Sequence, residues 1–254
     1  MRFEENWRSL AGSQASEPIA LHTEIKRLGI IGGIGPESTI VYYRSIMEAG
    51  RQRFGGASPP VLINSIDVRT VLRLVEENAL AALRDYLVAE IGILARADIS
   101  LALIAANTPH IVFDEVRQRS PIPLVSIVEA TRDAARARGL TRLGLFGTRF
   151  TMQGHFYPEV FSKSGIELVC PRDDEQAFIH EKYVGELLKN VFLPETRDGL
   201  LKIAEALKKR DGVQGIILAG TELPLLLTGD SAVGLPLLDT TQIHVIAAVK
   251  QLWG

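Results

Sequence analysis

The chain has 254 residues, with 28 Lys and Arg against 30 Asp and Glu and a formal net charge of −2. Hydrophobic residues make up 46% and aromatics only 6%, which excludes a disordered chain and gives no footprint for nucleic acid or an anionic membrane. The single cysteine, Cys170, excludes an internal disulfide framework and a thiolate zinc site, and fits a reducing, cytoplasmic setting.

Residues 1–26 carry scattered charges without the apolar stretch of a signal peptide and read as an N-terminal extension. No apolar run reaches the roughly 20 residues that span a bilayer. From Arg27 onward, short apolar runs alternate with stretches of helical period. Strands are expected at Leu28–Ile31, Val61–Ser65, Ser100–Ala105 and Pro123–Ser126, then at Leu143–Phe146, Glu167–Val169, Gly215–Ala219 and Pro236–Leu238. Most are continuous Val/Ile/Leu runs, the pattern of strands covered on both faces. Helices are expected at Ser38–Gln52, Asn78–Arg96, Pro109–Arg119 and Glu129–Arg138. A second group falls at Phe156–Ser164, Asp174–Asn190, Thr196–Lys209 and Thr240–Leu252. The alternation predicts an α/β fold of parallel sheets with helices on both faces.

A long internal repeat divides the chain. Arg-Leu-Gly-Ile-Ile-Gly-Gly at Arg27 returns as Arg-Leu-Gly-Leu-Phe-Gly-Thr at Arg142, 115 residues on. Ile-Ala-Ala-Asn-Thr-Pro at Ile104 is matched by Leu-Ala-Gly-Thr-Glu-Leu-Pro at Leu218, and Ile-Pro-Leu-Val-Ser at Ile122 by Leu-Pro-Leu-Leu-Asp at Leu235. Three motifs in one order at nearly one offset predict two pseudo-symmetric lobes. The first is expected over 27–126, with 228–254 packing back on it, and the second over 127–227. Ligands of open parallel sheets bind beyond the carboxyl ends of the strands. Two such lobes face each other across a cleft, which would collect Gly32–Thr39, Asn107–Thr108, Gly147–Thr151 and Thr221–Glu222.

Gly32-Gly33-Ile34-Gly35-Pro36-Glu37-Ser38-Thr39 follows a strand and opens a helix. Backbone N–H groups and the Ser38 and Thr39 hydroxyls make such a turn an anion site. The turn lacks the Gly-Lys-[Ser/Thr] of a P-loop and the third glycine of a dinucleotide fingerprint. A small carboxylate suits it better than a nucleotide phosphate; a purely structural turn is the plainer alternative.

Taken in order, Gly-Gly-Ile-Gly-Pro-Glu-Ser-Thr, Asn-Thr-Pro-His, Gly-Thr-Arg-Phe-Thr-Met and Gly-Thr-Glu-Leu-Pro-Leu-Leu resemble the aspartate/glutamate racemase family. Glu37–Arg44 and Gly147–Met152 look most like its broad-specificity amino-acid racemase branch, and Asp239-Thr240 with His244 resembles its C-terminal motif. The resemblance, covering about Lys26 to Trp253, implies a homodimer without cofactor or metal, acting on a small amino acid or carboxylate. It also implies one cysteine on each face of the substrate α-carbon, just before Asn-Thr and just before Thr-Glu.

Those positions here are Ala106 and Gly220. A methyl group and a hydrogen atom carry no proton, whereas each positioned acid or base contributes typically about 10²–10⁴-fold. Cys170 lies away from both. Three readings stay open: other chemistry at the α-carbon, such as decarboxylation, elimination or isomerisation; ligand or partner binding without turnover; and a racemase whose cysteines were replaced by mutagenesis. The substitutes considered for the thiols are Glu222, at the start of a short helix, and His110, against its duller role as a capping histidine. Asn107, Thr108, Thr148 and Thr221 are expected to donate to a substrate carboxylate, near Gly33, Ser38 and Thr39. Arg69 follows the second strand, where the family varies its specificity, and Arg149 is placed to clamp a carboxylate or to stand solvated. His22, His155 and His180 show no metal-ligand spacing.

Overall fold

A computed structural model describes residues 26–254. The expected extension therefore lies, apart from Lys26, outside the described residues.

The first lobe comprises β1 (Leu28–Gly32), α1 (Pro36–Arg53), β2 (Val61–Ser65), α2 (Val68–Glu76), α3 (Leu80–Ala95), β3 (Leu101–Ile104), α4 (Phe113–Arg119) and β4 (Leu124–Val125). Its strands form a parallel sheet in the order β2-β1-β3-β4. Successive residues of β1 and β3 face opposite sides. Ile31, Ala102 and Ile104 pack toward α2, α3 and α4, with Leu83, Leu87, Ile91 and Leu94 of α3 supplying one buried stripe. Leu28, Ile30, Leu101 and Leu103 pack toward α1 and the final helix, α11 (Thr240–Trp253).

The second lobe begins with α5 (Ile127–Ala137), β5 (Arg142–Gly147), α6 (Arg149–Gln153), α7 (Phe156–Ser162) and β6 (Glu167–Val169). It continues through α8 (Asp173–Gly185), α9 (Pro194–Asp211), β7 (Ile216–Ala219), α10 (Leu223–Leu226), β8 (Ser231–Ala232) and β9 (Leu235–Asp239). Its sheet runs β6-β5-β7-β9-β8, parallel except for the terminal β8–β9 pair. Strand for strand, β6-β5-β7-β9 repeats β2-β1-β3-β4, which is the structural form of the sequence repeat. Phe146, Ile216 and Leu218 face α8 and α9, while Leu143, Leu145 and Ile217 face α5 and α7.

The two sheets are separate, and the chain crosses between the lobes at Ser126 and again at Asp239. One expected boundary moves. Residues 228–239, expected with the first lobe, complete the second sheet, because Leu237 and Leu238 pair with β7 and bury there. Only α11 returns, its Val245, Ala248, Val249 and Leu252 filling the core beside β1 and β3. Helices α2 and α6 were not expected. Asp67 starts α2 by accepting from the Arg69 amide at 2.9 Å, and Thr148 starts α6 by accepting from the Thr151 amide at 3.3 Å. Both are N-caps.

Candidate active site

Two strand ends converge between the lobes. Leaving β3, the chain passes Ala105, Ala106 and Asn107 before a single 3₁₀ turn, Thr108–Val112; leaving β7, it passes Gly220, Thr221 and Glu222 before α10. Ala106, Asn107, Thr108, Thr148 and Thr221, all buried, line a cavity of about 30 Å³ together with Tyr183. Gly220 lies between the lining residues Ala219 and Thr221. The remaining wall is apolar, with Ile34, Val71, Leu72 and Leu188. On the usual measure such a volume holds only about two waters, so a larger ligand does not fit this closed arrangement. A wider hollow of about 200 Å³ lies between α4, α5 and α7; of the expected site residues it touches only His110.

The cleft hydroxyls are paired with protein groups, Thr108 across the lobes and Thr221 within its own. Thr108 Oγ1 meets Thr148 Oγ1 at 3.1 Å. Thr221 Oγ1 donates to Glu222 Oε2 at 2.9 Å. Asn107 is held on both sides, its Nδ2 donating to Thr240 Oγ1 at 3.2 Å and its Oδ1 accepting from the Tyr157 hydroxyl at 2.6 Å. Asn107 thereby ties β3 to α7 and α11.

The glycine turn is closed by its own side chains. Ser38 and Thr39 both donate their hydroxyl protons to the Gly35 carbonyl, at 2.7 and 3.2 Å, and the Gly33 amide donates to Thr39 Oγ1 at 2.9 Å. Gly33 has φ +83°, and a Cβ there would press into the Ile66 carbonyl oxygen. The group that reaches the start of α1 belongs to the other lobe: a Cβ on Gly35, at φ +95°, would overlap Glu222 Oε1. The space at this helix N-terminus is thus taken by the protein's own Glu222 side chain.

Glu222, next in the chain to the lining residue Thr221, is 1% exposed. Burial raises its carboxyl above the usual range, while the Tyr183 and Thr221 hydroxyls and the backbone pull the other way. Oε2 accepts from both hydroxyls; Oε1 has no hydrogen-bond partner among the described residues. The α1 dipole offsets part of the burial cost.

His110 is not free to move a proton in this arrangement. Its Nε2 accepts from the Ile127 amide at 3.2 Å, so Nδ1 carries the hydrogen and donates to the Ala106 carbonyl at 2.9 Å. Burial, reinforced by nearby His244, lowers its pKa to about 3. It fixes the backbone at Ala106 and the start of α5. Arg69 and Arg149 stand outside the cavity. Arg69 is 89% exposed and pairs with Asp67. The Arg149 guanidinium lies over the Phe150 ring at 5.6 Å. Cys170 donates its thiol to the Met152 carbonyl at 2.9 Å, and burial raises its pKa.

Comparison with known proteins joins this geometry to a family. The Asp/Glu/hydantoin racemase family matches over residues 31–248. The chain belongs to that family. A candidate Asp/Glu racemase from Yersinia pestis is 32% identical, with a TM-score of 0.82, covering 90% of this chain and all of that one. An aspartate racemase homologue from Pyrococcus horikoshii is 31% identical with a TM-score of 0.77, at the same two coverages. A glutamate racemase from a Parafrankia strain is 32% identical over 153 residues, 58% of this chain; the match spans about half of that relative, 52%. Within the family fold, the residue that sequence reasoning missed is Tyr183. It sits on α8, far along the chain from Gly220, and its only trace in the sequence is the glycine whose space it fills. Among the described residues no group of three or more His, Cys, Asp or Glu is placed to hold a metal ion, and no helix is long and apolar enough to cross a membrane.

Proposed function

We propose that the chain binds a small amino acid or carboxylic acid in the interlobe cleft and acts at its α-carbon without cofactor, by groups other than a pair of thiols. The observation that carries this is the cavity at the carboxyl ends of both sheets. Its polar end is made of the hydroxyls of Thr108, Thr148 and Thr221, its walls are apolar, and one buried carboxyl stands behind it. The three hydroxyls are the donors for a ligand carboxylate, replacing the bonds they now make to one another and to Glu222.

Among the described residues no Lys or Arg lines the cavity, and Arg69 and Arg149 are turned to solvent. A second carboxylate on the ligand would find no cation and would face Glu222. The preferred ligand therefore has a small uncharged side chain. A second reading, binding without turnover, is favoured by Ala106, whose methyl supplies no acid or base on the first lobe's side. We place the protein in the cytoplasm as a homodimer; the exposed Ile40 and Tyr43 on α1 and Ile246 on the adjoining α11 support a contact on that face.

Titration calorimetry against L- and D-amino acids, 2-oxo acids and dicarboxylates tests the reading. Binding of small uncharged acids at millimolar concentration or below is expected, with aspartate and glutamate at least about tenfold weaker, roughly 1.4 kcal/mol. A folded protein that binds no member of the panel would overturn it.

A further inference from the structure

The geometry points to Tyr183, backed by Glu222, as the proton-transfer group on the second lobe's side of the cleft, occupying the volume that Gly220 leaves open. This rests on the function proposed above and names the group that would carry it out.

Three observations converge. A Cβ built on Gly220 would overlap Cε2 of Tyr183, lie 3.0 Å from its Cζ, and stand 3.2 Å from Leu223 Cδ1. Gly220 is absent from the residues with positive φ, so volume, not backbone conformation, is what demands glycine. The tyrosine ring therefore stands where a side chain at position 220 would project. Second, Tyr183 lines the cavity itself, whereas Glu222 lies behind it. Third, the Tyr183 hydroxyl donates to Glu222 Oε2, which also accepts from Thr221. Tyr183 thus links the cavity to the one buried carboxyl beside it.

The pair works as a relay. Burial and the adjoining carboxylate hold the phenol well above its ordinary pKa, so it stays protonated and cannot serve as a free phenolate. In the forward step the C–H bond at the ligand's α-carbon breaks, and its electron pair stays on the ligand. The proton passes to the phenol oxygen as the phenol's own proton passes to Glu222 Oε2. The return step reverses both transfers, after exchange with solvent when the cleft opens. The opposite face is bounded by the Ala106 methyl, so the proton comes back from the side it left. The relay gives exchange with retention, not racemisation.

The test is α-hydrogen exchange in deuterium oxide, followed by NMR on the full chain with small uncharged amino acids, alongside chiral chromatography and calorimetry. The wild-type chain is expected to exchange the α-proton without inversion, at a rate that rises as Glu222 ionises. Tyr183→Phe keeps the ring against Gly220 and removes only the hydroxyl. It should lower exchange by about 100-fold or more while ligand affinity stays within about threefold. Glu222→Gln should abolish the pH-dependent rise with the same retention of binding. Unchanged exchange in Tyr183→Phe would overturn the relay, as would inversion as fast as exchange. Wild-type binding without exchange would overturn the relay and leave the binding site standing. Absence of binding would remove both.

Discussion

Lowering the pH from 6.5 to 4 will cost the native state about 3–7 kcal/mol through two histidines, a large share of the stability an ordinary domain has. The cause is a pair of buried neutral histidines, His110 and His244, whose rings stand 6.2 Å apart between the lobes. His244 Nε2 donates to the Val125 carbonyl at 3.1 Å, and its Nδ1 accepts from the Tyr42 hydroxyl at 2.9 Å. Burial lowers its pKa to about 4, and that of His110 to about 3. In the unfolded chain both titrate near 6.5. Between pH 6.5 and 4 the unfolded state therefore binds more protons than the native one, and stability falls as pH falls, by up to about 1.4 kcal/mol per pH unit per histidine. Burial also raises Glu222 and Asp239. These have the opposite sign: they remove stability as pH rises above their unfolded values, about 3.9 for Asp and 4.3 for Glu, which offsets part of the histidine slope. The lowered surface carboxylates, such as Asp85 beside Arg84, act only at still lower pH. Urea unfolding at half-unit steps from pH 7.5 to 4 reads the slope, and His244→Gln should shallow it. A slope left unchanged by His244→Gln would refute the buried, neutral state of that ring.

Gly220→Cys, the direct route to restoring a thiol, will destabilise the chain by about 1–3 kcal/mol or more by overpacking. It will also expel Tyr183 from its bond to Glu222. Tyr183 is buried among Phe146, Ile179, Leu187 and Leu223, so its ring cannot swing away without opening that cluster, and Glu222 would lose one of its two side-chain donors. Shortening the tyrosine at the same time, as Tyr183→Ala with Gly220→Cys, makes the room. The pair of changes should therefore be less destabilising together than the sum of the single changes by about 1–2 kcal/mol, the signature of residues in contact. Adding Ala106→Cys to this background places a thiol at each strand end. Racemisation is expected only with both cysteines and the shortened tyrosine. Thermal or urea unfolding of the four members of the cycle measures the coupling, and strict additivity would mean that the ring does not hold the place of the side chain at 220.

The lobes were legible because their strands are continuous apolar runs and because the halves repeat. The same repeat held information that the expected boundaries did not use. Leu-Pro-Leu-Leu-Asp at Leu235 answers Ile-Pro-Leu-Val-Ser at Ile122, which makes β9 the counterpart of β4 and places it in the second sheet. Helix α2 carried its own signal, an Asp67 N-cap before Val71, Leu74 and Val75 at helical spacing, masked by the specificity reading of Arg69 within it. The glycine turn reads locally as an anion site, yet its Ser38 and Thr39 hydroxyls close on the Gly35 carbonyl. That Glu222 from the other lobe stands against Gly35 depends on how two sheets meet, which no local pattern encodes. Tyr183 was illegible for the same reason: a helix residue in an unremarkable context acquires meaning only through its contact with Gly220 and Glu222.

The most direct measurement is a crystal structure of the full chain with one of the small uncharged amino acids selected by calorimetry. The account predicts ligand density between Ala106 and Gly220, its carboxylate on the hydroxyls of Thr108, Thr148 and Thr221, its α-hydrogen toward Tyr183, and the lobes opened from the present 30 Å³ cavity. A ligand bound instead in the hollow between α4 and α7, with the Thr108–Thr148 pair still closed, would contradict it.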